Sequence, residues 1–310
     1  MLPTTPPDAG TPARVCVLLA TFNGEAWLPE QLASLRAQAG VALRVVASDD
    51  QSGDATRALL EAAAAQGGLV VLPDVPERFG NANRNFLRLI RDTPLGDAEY
   101  FALSDQDDIW LPHKLRRAVD VMRADGADAY GANCTAFWPD GRRKLLVKSQ
   151  PQRPFDHLFE SAGPGCSFVF SRAMFADLQR WVVARWAPLQ DIKVHDWLIY
   201  AWGRGHGWRW VIDDASVLLY RQHERNEAGA NAGIAGAVPR LLNIAQGRFR
   251  HDAIAIGDAA GLHAPALDRL RRFSLADRLW LALHARQLRR AFVDVIALAF
   301  LMLVMPRRTT

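Results

Sequence analysis

Apolar and polar positions alternate along residues 15–135 in blocks that predict strands and helices in turn. Four short apolar runs are typical of buried strands, and the segments between them carry apolar residues at helical spacing. The runs cover residues 15–20, 43–47, 69–72 and 100–103. Strands that alternate with helices favour an α/β domain with a mostly parallel central sheet flanked by helices.

Capping and turn residues refine this picture. Asn23 follows the first run and is predicted to cap the next helix, and Pro112 opens the helix after the fourth run. The pattern from 136 to 225 is mixed. It predicts a hairpin around 140–141, a strand over 166–170, helices over 173–185 and 194–203, and a strand pair over 208–212 and 216–220.

Carboxylates directly follow two of the apolar runs. Asp49 and Asp50 end the second run, and Asp105, Asp107 and Asp108 end the fourth. Because ligands of open α/β sheets bind beyond the carboxyl ends of the strands, both groups are expected at one edge of the sheet. Clustered carboxylates repel one another unless a cation neutralises them, and Mg²⁺ and Mn²⁺ prefer oxygen ligands. The second group therefore predicts a metal and diphosphate site, with a solvated turn as the alternative.

Four further polar residues are candidates because of their positions. Arg84 lies at a predicted helix start, where a guanidinium can face a nucleotide or diphosphate. Asp196 begins the apolar helix HDWLIYAW, and partial burial there would raise its pKa toward that of a general base. Arg221 and His223 follow a strand and are suited to a phosphate and a metal. The ordinary alternatives are a surface arginine, a helix cap and a structural histidine.

The positive charge of the chain is concentrated at its end. The net charge is +4, yet residues 240–310 hold twelve Arg, five Asp and no Lys, which gives +7 there and −3 elsewhere. Residues 268–290 mix Arg with large apolar residues, and 291–305 contain one charge. This apolar stretch is shorter than the ~20 residues that span a bilayer, so the pattern favours a membrane-interface anchor. Helices packed on the core or on a second copy are the alternative. The tail carries no recognisable nucleic-acid-binding motif, so no nucleic-acid partner is expected.

The cysteines and the first residues bear on the compartment. Cys16, Cys134 and Cys166 are widely spaced and fit no metal-site pattern, which favours buried free thiols over disulfides. Residues 1–14 are rich in Pro and Thr and lack the pattern of a signal peptide. They are predicted to be a disordered lead-in, and the cytoplasm is the expected compartment.

Seven stretches taken together resemble a known family. They are VCVLLATFNGEAWLPEQLASLRAQ, VVASDDQSGD, RFGNANRNFLRLI, YFALSDQDDIWLPHKL, GCSFVFSR, HDWLIYAW and YRQH. In this order, over about residues 15–225, they are similar to the inverting GT-A glycosyltransferases of family 2, above all its rhamnosyltransferase-like members in surface-polysaccharide assembly. The resemblance implies a GT-A (nucleotide-diphospho-sugar transferase) fold for 15–225, followed over 226–310 by a helical C-terminal extension.

The resemblance also implies roles for individual residues. The residues expected to contact the nucleotide-sugar are Thr21, Asn23, Asp49, Asp50, Arg84, Asp105 and Arg221. A divalent metal, Mg²⁺ or Mn²⁺, is expected on Asp107, Asp105 and His223, with Asp196 as the catalytic base. The residues expected to face acceptor and sugar are Gly165, Cys166, Trp197 and Asp108. Two positions depart from the family pattern, because Gln51 replaces a usual Gly and His195 replaces a usual acidic residue.

These expectations define a metal-dependent transferase. It would move a sugar, L-rhamnose from dTDP-rhamnose in the rhamnosyltransferase-like branch, to a hydroxyl of a lipid-linked or polysaccharide acceptor. The enzyme would lie on the cytoplasmic face of the inner membrane. A nucleotidyltransferase is the first alternative, although the chain has no GxxxxGK[ST] loop. A non-catalytic scaffold of the same fold is the second, and such a protein would be expected to lose the acidic motif or the base.

Overall fold

A computed structural model describes residues 11–76, 78–223 and 248–305. Within these residues one sheet of nine strands runs in the order β3-β2-β1-β4-β8-β6-β9-β5, and β7 pairs with β6. The strands are β1 Ala13–Thr21, β2 Val41–Asp49, β3 Leu69–Val71, β4 Tyr100–Ser104, β5 Ile109–Trp110, β6 Ala129–Phe137, β7 Arg143–Leu146, β8 Val169–Ser171 and β9 Trp210–Arg221.

The helices of the described ranges surround this sheet and continue beyond it. They are α1 Leu28–Arg36, α2 Thr56–Ala65, α3 Ala82–Asp92, α4 Lys114–Asp125, α5 Arg172–Ala184, α6 Trp186–Leu189, α7 His195–Gly205, α8 Arg248–Ala259, α9 Pro265–Arg272, α10 Leu275–Leu283, α11 Ala285–Leu288 and α12 Phe292–Val304. The predicted α/β class with a helical C-terminal region is therefore confirmed.

The sheet is parallel at one end and mixed at the other. β3, β2, β1 and β4 run parallel, as the alternating pattern predicts. β8 then pairs antiparallel with both β4 and β6, while β9 runs parallel to β6. Strand β1 is buried along almost its whole length, because helices cover both faces of a parallel sheet. The prediction of a mostly parallel sheet is therefore accurate for the half of the sheet that contains β1 to β4.

Three local predictions are wrong. Asn23 does not cap α1, which begins five residues later at Leu28, and its side-chain oxygen instead accepts from Gly53 N at 2.8 Å. The strand over 166–170 is shorter, because Gly165–Ser167 form a 3₁₀ turn before β8. The strand pair over 208–212 and 216–220 is a single strand, β9.

The apparent break in β9 is a buried polar residue rather than a turn. Asp213 interrupts the apolar pattern, but its carboxylate accepts from Arg117 Nε at 2.6 Å and from the Tyr130 hydroxyl at 2.8 Å. The pairing of β9 with β6 shifts register beside this residue. A paired carboxylate can be buried within a strand, so a polar residue there need not mark a loop.

Two apolar layers cover the sheet. One contains α1, α2 and α4, and the other contains α3, α5 and α7. The C-terminal helices extend the second layer, since Leu267, Leu281, Leu288 and Met302 belong to the same buried cluster as Trp197. The C-terminal helices therefore pack on the core, which was the alternative to a membrane-interface anchor. β1 starts at Ala13, inside the predicted lead-in, and the predicted domain boundary at 225 lies outside the described residues.

Candidate active site

The ends of β1 and β2 are joined through their side chains. Thr21 and Asp49 are register partners, and the Thr21 hydroxyl donates to the Asp49 carboxylate at 2.8 Å. The same carboxylate accepts from the backbone N–H of Ser52 at 2.9 Å and from its hydroxyl at 2.6 Å. Parallel pairing brings the two strand ends together, as expected for neighbouring strands of an α/β sheet. Thr21 and Asp49 are therefore fixed before any ligand arrives.

The loop after β1 is tied to the loop after β2. Asn23 lies in the left-handed region at φ 46°, where Asn is tolerated, and its N–H donates to the Ser52 hydroxyl at 2.8 Å. Gln51, which departs from the family's glycine, also adopts a left-handed conformation at φ 57°. Its side chain donates to the carbonyl of Val75 at 2.7 Å. The turn therefore keeps the conformation that glycine favours although Gln occupies it.

Asp50 and Arg84 are linked by one loop. The Asp50 carboxylate accepts from the backbone N–H groups of Phe79 and Gly80, the latter at 2.8 Å. Burial raises the pKa of Asp50, and these hydrogen bonds oppose that shift. Arg84 Nε donates to the carbonyl of Gln190 at 2.9 Å and its Nη1 to that of Phe79 at 3.5 Å. Asp50 and Arg84 thus both bond to the backbone of the 79–80 loop.

The loop of residues 105–108, here called the acidic loop, follows β4. Asp108 is fully buried, and its Oδ1 accepts from the backbone N–H of Arg221 at 3.2 Å. Within the described residues its Oδ2 has no hydrogen-bond partner. Burial, and next the charge of Asp107, raise the pKa of Asp108 to about 8. Ligand atoms of Asp105, Asp108 and Cys166 lie within 4.8 Å of one another.

The end of β9 closes over this loop. His223 Nε2 lies 2.8 Å from Asp107 Oδ2, and Trp27 stacks on the imidazole with ring centroids 4.0 Å apart. Arg221 Nε donates to the carbonyl of Asp107 at 2.8 Å, and its guanidinium pairs with Glu30. Of the predicted metal residues, Asp107 and His223 are in contact, whereas Asp105 clusters with Asp108 and Cys166. Arg221 holds the backbone of the acidic loop in place.

Asp196 lies in the first turn of α7. Its Oδ1 accepts from the backbone N–H of Trp197 at 2.7 Å. Burial raises its pKa to about 6, although Lys148 and the hydroxyl of Ser161 favour the charged form. A carboxylate that titrates near 6 is ionised at neutral pH and still basic enough to take a proton. The pKa expected of a general base is therefore present at this position.

The 165–167 turn lies between Asp108 of the acidic loop and the start of α7, which carries Asp196. Cys166 lies beside Asp108, and burial strongly raises the pKa of its thiol. On the other side, a Cβ on Gly165 would lie 2.3 Å from His195 Nε2. His195 is stacked on Phe86 at 4.2 Å, and burial lowers its pKa to about 3, so it is neutral. Only glycine at 165 lets the turn pack this closely against the start of α7.

Trp197 is not brought to the acidic loop. Its side chain is buried, donates from Nε1 to the carbonyl of His157 at 3.0 Å, and stacks on Phe249 of α8. Among the predicted acceptor-side residues, Asp108 joins Asp105 in the acidic cluster, whereas Trp197 packs in the core. Residue 197 therefore connects the site to the C-terminal helices.

Three side chains at the site were not predicted. Gln106 donates to and accepts from the backbone of Phe22, both at 2.8 Å, and so clamps the acidic loop to the loop after β1. Lys114 is fully buried, lies 3.4 Å from the ring centroid of Trp110, and has its pKa lowered to about 7 by burial. Trp27 supports His223. Only Gln106, an amide between carboxylates, could have been found from the sequence, because the contact of Trp27 with His223 is long-range and nothing in the pattern marks Lys114 as buried.

The donors at the acidic loop fit a divalent cation. Asp105 and Asp108 place carboxylate oxygens within 4.8 Å of each other, and Asp107 forms a second pair with the imidazole of His223. Carboxylate oxygens suit Mg²⁺ and Mn²⁺, and an imidazole among them is more typical of a transition metal. The raised pKa of Cys166 keeps its sulfur protonated and argues against a thiolate ligand.

The parallel half of the sheet, the acidic loop after β4 and the carboxylate at the start of α7 are arranged as in a glycosyltransferase of the GT-A type. Residues 16–176 match the model of the family described as Glycosyl transferase family 2, and the chain belongs to this family of glycosyltransferase enzymes. It is 36% identical over 288 residues to dTDP-rhamnosyl transferase RfbG of Shigella flexneri, covering 92% of this chain and 99% of that protein. It is 26% identical to succinoglycan biosynthesis protein ExoO of Rhizobium meliloti, covering 86% and 72%.

Solved structures support the fold. The S. aureus TarS 1-349 complex with UDP superposes with a TM-score of 0.58 at 17% identity, covering 87% of this chain and 75% of that chain. The mannosyltransferase PcManGT of Pyrobaculum calidifontis, in complex with GDP-Man and Mn²⁺, gives 0.51 at 17% identity and covers 96% and 88%. The predicted family and GT-A fold are therefore confirmed.

Proposed function

We propose that this enzyme transfers L-rhamnose from dTDP-rhamnose to an acceptor hydroxyl, in one displacement that inverts the anomeric carbon. The observation that carries the mechanism is the 165–167 turn, which contacts Asp108 on one side and His195, next to Asp196, on the other. One turn thus separates a diphosphate-binding side from a proton-accepting side. The donor is inferred from the 36% identity to a dTDP-rhamnosyl transferase over nearly its whole length.

The donor side is assigned to the strand ends and the acidic loop. Thr21, Asn23 and Asp49 offer polar groups to the nucleoside, with Asp50 and Arg84 positioning the 79–80 loop beside it. Asp105, Asp107 and His223 would hold the divalent metal. When bound, such a metal neutralises charge on the departing diphosphate. Arg221 keeps the carbonyl of Asp107 oriented and brings positive charge to the same place.

The acceptor side is assigned to Asp196 and the 165–167 turn. The ionised Asp196 carboxylate takes the proton of the acceptor hydroxyl as the oxygen attacks the anomeric carbon. The new glycosidic bond forms while the bond to the diphosphate breaks, so no covalent enzyme intermediate is required. Gly165 and Cys166 form the floor beside the reacting sugar. Neutral His195 behind Gly165 keeps a second charge away from the base.

The acceptor is assigned to a lipid-linked or growing glycan, because a relative at 26% identity is named for succinoglycan biosynthesis. An enzyme that acts on a lipid-linked glycan shares a surface with it. We therefore place the protein peripherally, on the cytoplasmic face of the membrane. Among the described residues, no helix is both long and apolar enough to cross a bilayer.

The test is release of free nucleoside diphosphate from a panel of nucleotide sugars, with Mn²⁺, Mg²⁺ or EDTA. Slow hydrolysis of dTDP-rhamnose that stops with EDTA and with Asp107→Asn is expected. Asp120→Asn is the matched control, because Asp120 is an exposed carboxylate of α4 that pairs with Arg116. Calorimetry with dTDP and Mn²⁺ reports binding when turnover is absent. Absence of both hydrolysis and metal-dependent dTDP binding would contradict the proposal and favour a non-catalytic scaffold. Release of pyrophosphate from a nucleoside triphosphate would instead favour a nucleotidyltransferase.

A further inference from the structure

Two C-terminal helices present an apolar face to solvent. Leu275, Leu279 and Leu283 recur every four residues on α10, and Phe292, Ile296 and Phe300 do so on α12. The exposed fractions of these six side chains range from 47% to 82%. The two helices pack against each other, and the six residues together are here called the apolar face. Exposed apolar residues are normal when scattered, whereas a contiguous group marks an interaction site.

The opposite sides of the same helices are buried in the protein. Leu281 of α10 and Leu298, Leu301 and Met302 of α12 belong to the main core cluster. α12 has 13 residues and is therefore about 20 Å long, well short of a bilayer core of about 30 Å. A helix that is fixed along one side and too short to span can only lie parallel to a surface.

The charges around the face favour an anionic surface. The two acidic residues of 275–304 are already neutralised, because Asp277 pairs with Arg272 at 2.9 Å and Asp294 with Arg289 at 3.1 Å. Arg286 is exposed, follows Leu283 by one helical turn, and makes no ion pair within the described residues. The sequence adds two more arginines directly after α12. A basic side chain near a membrane surface attracts anionic lipid headgroups, at about 1 kcal/mol.

A second copy of the chain fits this face less well. A twofold dimer places the same patch against itself, so two arginine-rich segments would be brought together. A bilayer that contains anionic lipid offers both the apolar layer and the opposite charge. Lipid is therefore the occupant that matches the face in polarity and in charge.

We propose that the apolar face of α10 and α12 docks the enzyme on an anionic lipid bilayer, with both helices in the plane of the interface. This inference deepens the proposed function by naming the membrane partner, but it stands on the surface itself rather than on the transfer reaction. Docking would be continuous with the active site, because Arg290, just before α12, bonds to the carbonyl of Ser161, and Ser161 neighbours Asp196.

The test is flotation of the full chain with vesicles of phosphatidylcholine, alone or mixed with phosphatidylglycerol. Ile296→Glu is expected to lower the bound-to-free ratio at least tenfold, because it places a charge in the apolar layer. Val183→Glu is the matched control, since Val183 and Ile296 are both 55% exposed but Val183 lies on α5. Arg286→Gln is expected to lower binding about fivefold on mixed vesicles only. Phe300→Ser replaces Ile296→Glu if thermal unfolding shows that the latter does not fold.

Two outcomes would overturn the inference. One is a wild-type protein that floats with neither vesicle, and the other is an Ile296→Glu variant that floats as well as wild type. Sedimentation in the same buffers identifies the rival occupant, because a dimer that Ile296→Glu converts to a monomer would assign the face to a second copy. Donor hydrolysis is measured on the same samples. A variant that loses flotation but hydrolyses the donor as wild type does affects the docking surface alone. A protein that floats but does not hydrolyse the donor contradicts the proposed reaction and leaves the docking surface intact.

Discussion

The acidic loop and the contact between the C-terminal helices and the core differ in how their charged side chains are arranged. In the acidic loop, Asp105, Asp107 and Asp108 gather like charges, and Asp108 Oδ2 has no partner within the described residues. Where the C-terminal helices meet the core, Arg290 is fully buried between Asp156 at 3.0 Å and Glu160 at 3.3 Å. A buried charge that is paired and hydrogen-bonded is stable, whereas carboxylates gathered close together repel one another unless a cation neutralises them.

This difference separates structural from functional charges. Arg290 Nη1 donates to Asp156 and Nη2 to the carbonyl of Ser161 at 2.6 Å, so both terminal nitrogens of the guanidinium are used within the protein. The acidic loop keeps an unused acceptor and faces the ends of β1 and β2. The first region therefore stabilises the fold, and the second is prepared for a cation and a diphosphate. Each variant in the following predictions changes one of these regions and leaves the other intact.

The largest expected effect is on catalysis, from Asp196→Asn. The amide keeps the size and one acceptor oxygen but cannot take the acceptor proton, and general base catalysis contributes typically 10²–10⁴-fold. We expect kcat for glycan transfer to fall by about 10³-fold with an unchanged Kd for dTDP and metal. Single-turnover transfer assays and calorimetry measure the two quantities.

The control for this variant is Asp191→Asn. Asp191 is an exposed carboxylate of the segment before α7, and it is expected to leave kcat within a factor of two to three, as surface changes usually do. Equal rates for Asp196→Asn and wild type would remove Asp196 from the role of base.

The second effect is on stability, from Arg290→Met. The substitution leaves Asp156 and Glu160 buried without their cation, and breaking a buried pair costs about 3–5 kcal/mol. Urea unfolding should show a loss of this size, while Arg286→Met, on an exposed side chain, should change the free energy of unfolding by about 0.5 kcal/mol or less. A loss below about 1 kcal/mol for Arg290→Met would mean that solvent reaches the network and that the C-terminal helices are weakly attached.

The sequence predicted elements and strand ends well because both have local causes. The β1 to β4 half could be derived from apolar runs, and Asp49 and the acidic loop from their positions after those runs. Partners contributed by distant segments could not be derived. The pairing of Arg290 with Asp156 spans 134 residues, and no local pattern records such a contact.

Residue type misled where tertiary pairing overrides propensity. Asp213 and its neighbours indicated a turn, but Arg117 and Tyr130 satisfy the Asp213 carboxylate inside one strand. That residues 268–290, which combine Arg with large apolar residues, form an amphipathic interfacial stretch stays a prediction, and the structure identifies the side chains that such a stretch could use. Several of these arginines pair with acidic side chains of the protein, and the exposed apolar residues lie mainly on α10 and α12. The sequence pattern gives the composition of each helix face, whereas tertiary packing decides which face remains exposed to solvent.

The third effect tests the turn between the two sides, through Gly165→Ala. The new Cβ would lie 2.3 Å from His195 Nε2, and the His195 ring is confined against Phe86. Overpacking of this kind costs about 1–3 kcal/mol. Gly53→Ala is the matched control, because its Cβ would meet nothing within 4 Å. Thermal unfolding of both variants is the measurement, and equal stability would show that the turn yields without strain.

The smallest effect is that of pH, and it distinguishes the two regions without a mutation. The pKa of Asp196 is raised to about 6, so the ionised base that the reaction needs is the major form at pH 7 and the minor form at pH 5. We expect kcat to fall about tenfold between pH 7 and pH 5, since below its pKa a base loses a factor of ten per pH unit. The contacts of Arg290 with Asp156, Glu160 and the carbonyl of Ser161 should keep the C-terminal helices attached over this range. Measuring kcat and circular dichroism on the same samples separates the two. A parallel loss of activity and helicity would mean that acid loosens the fold and does not titrate the base alone.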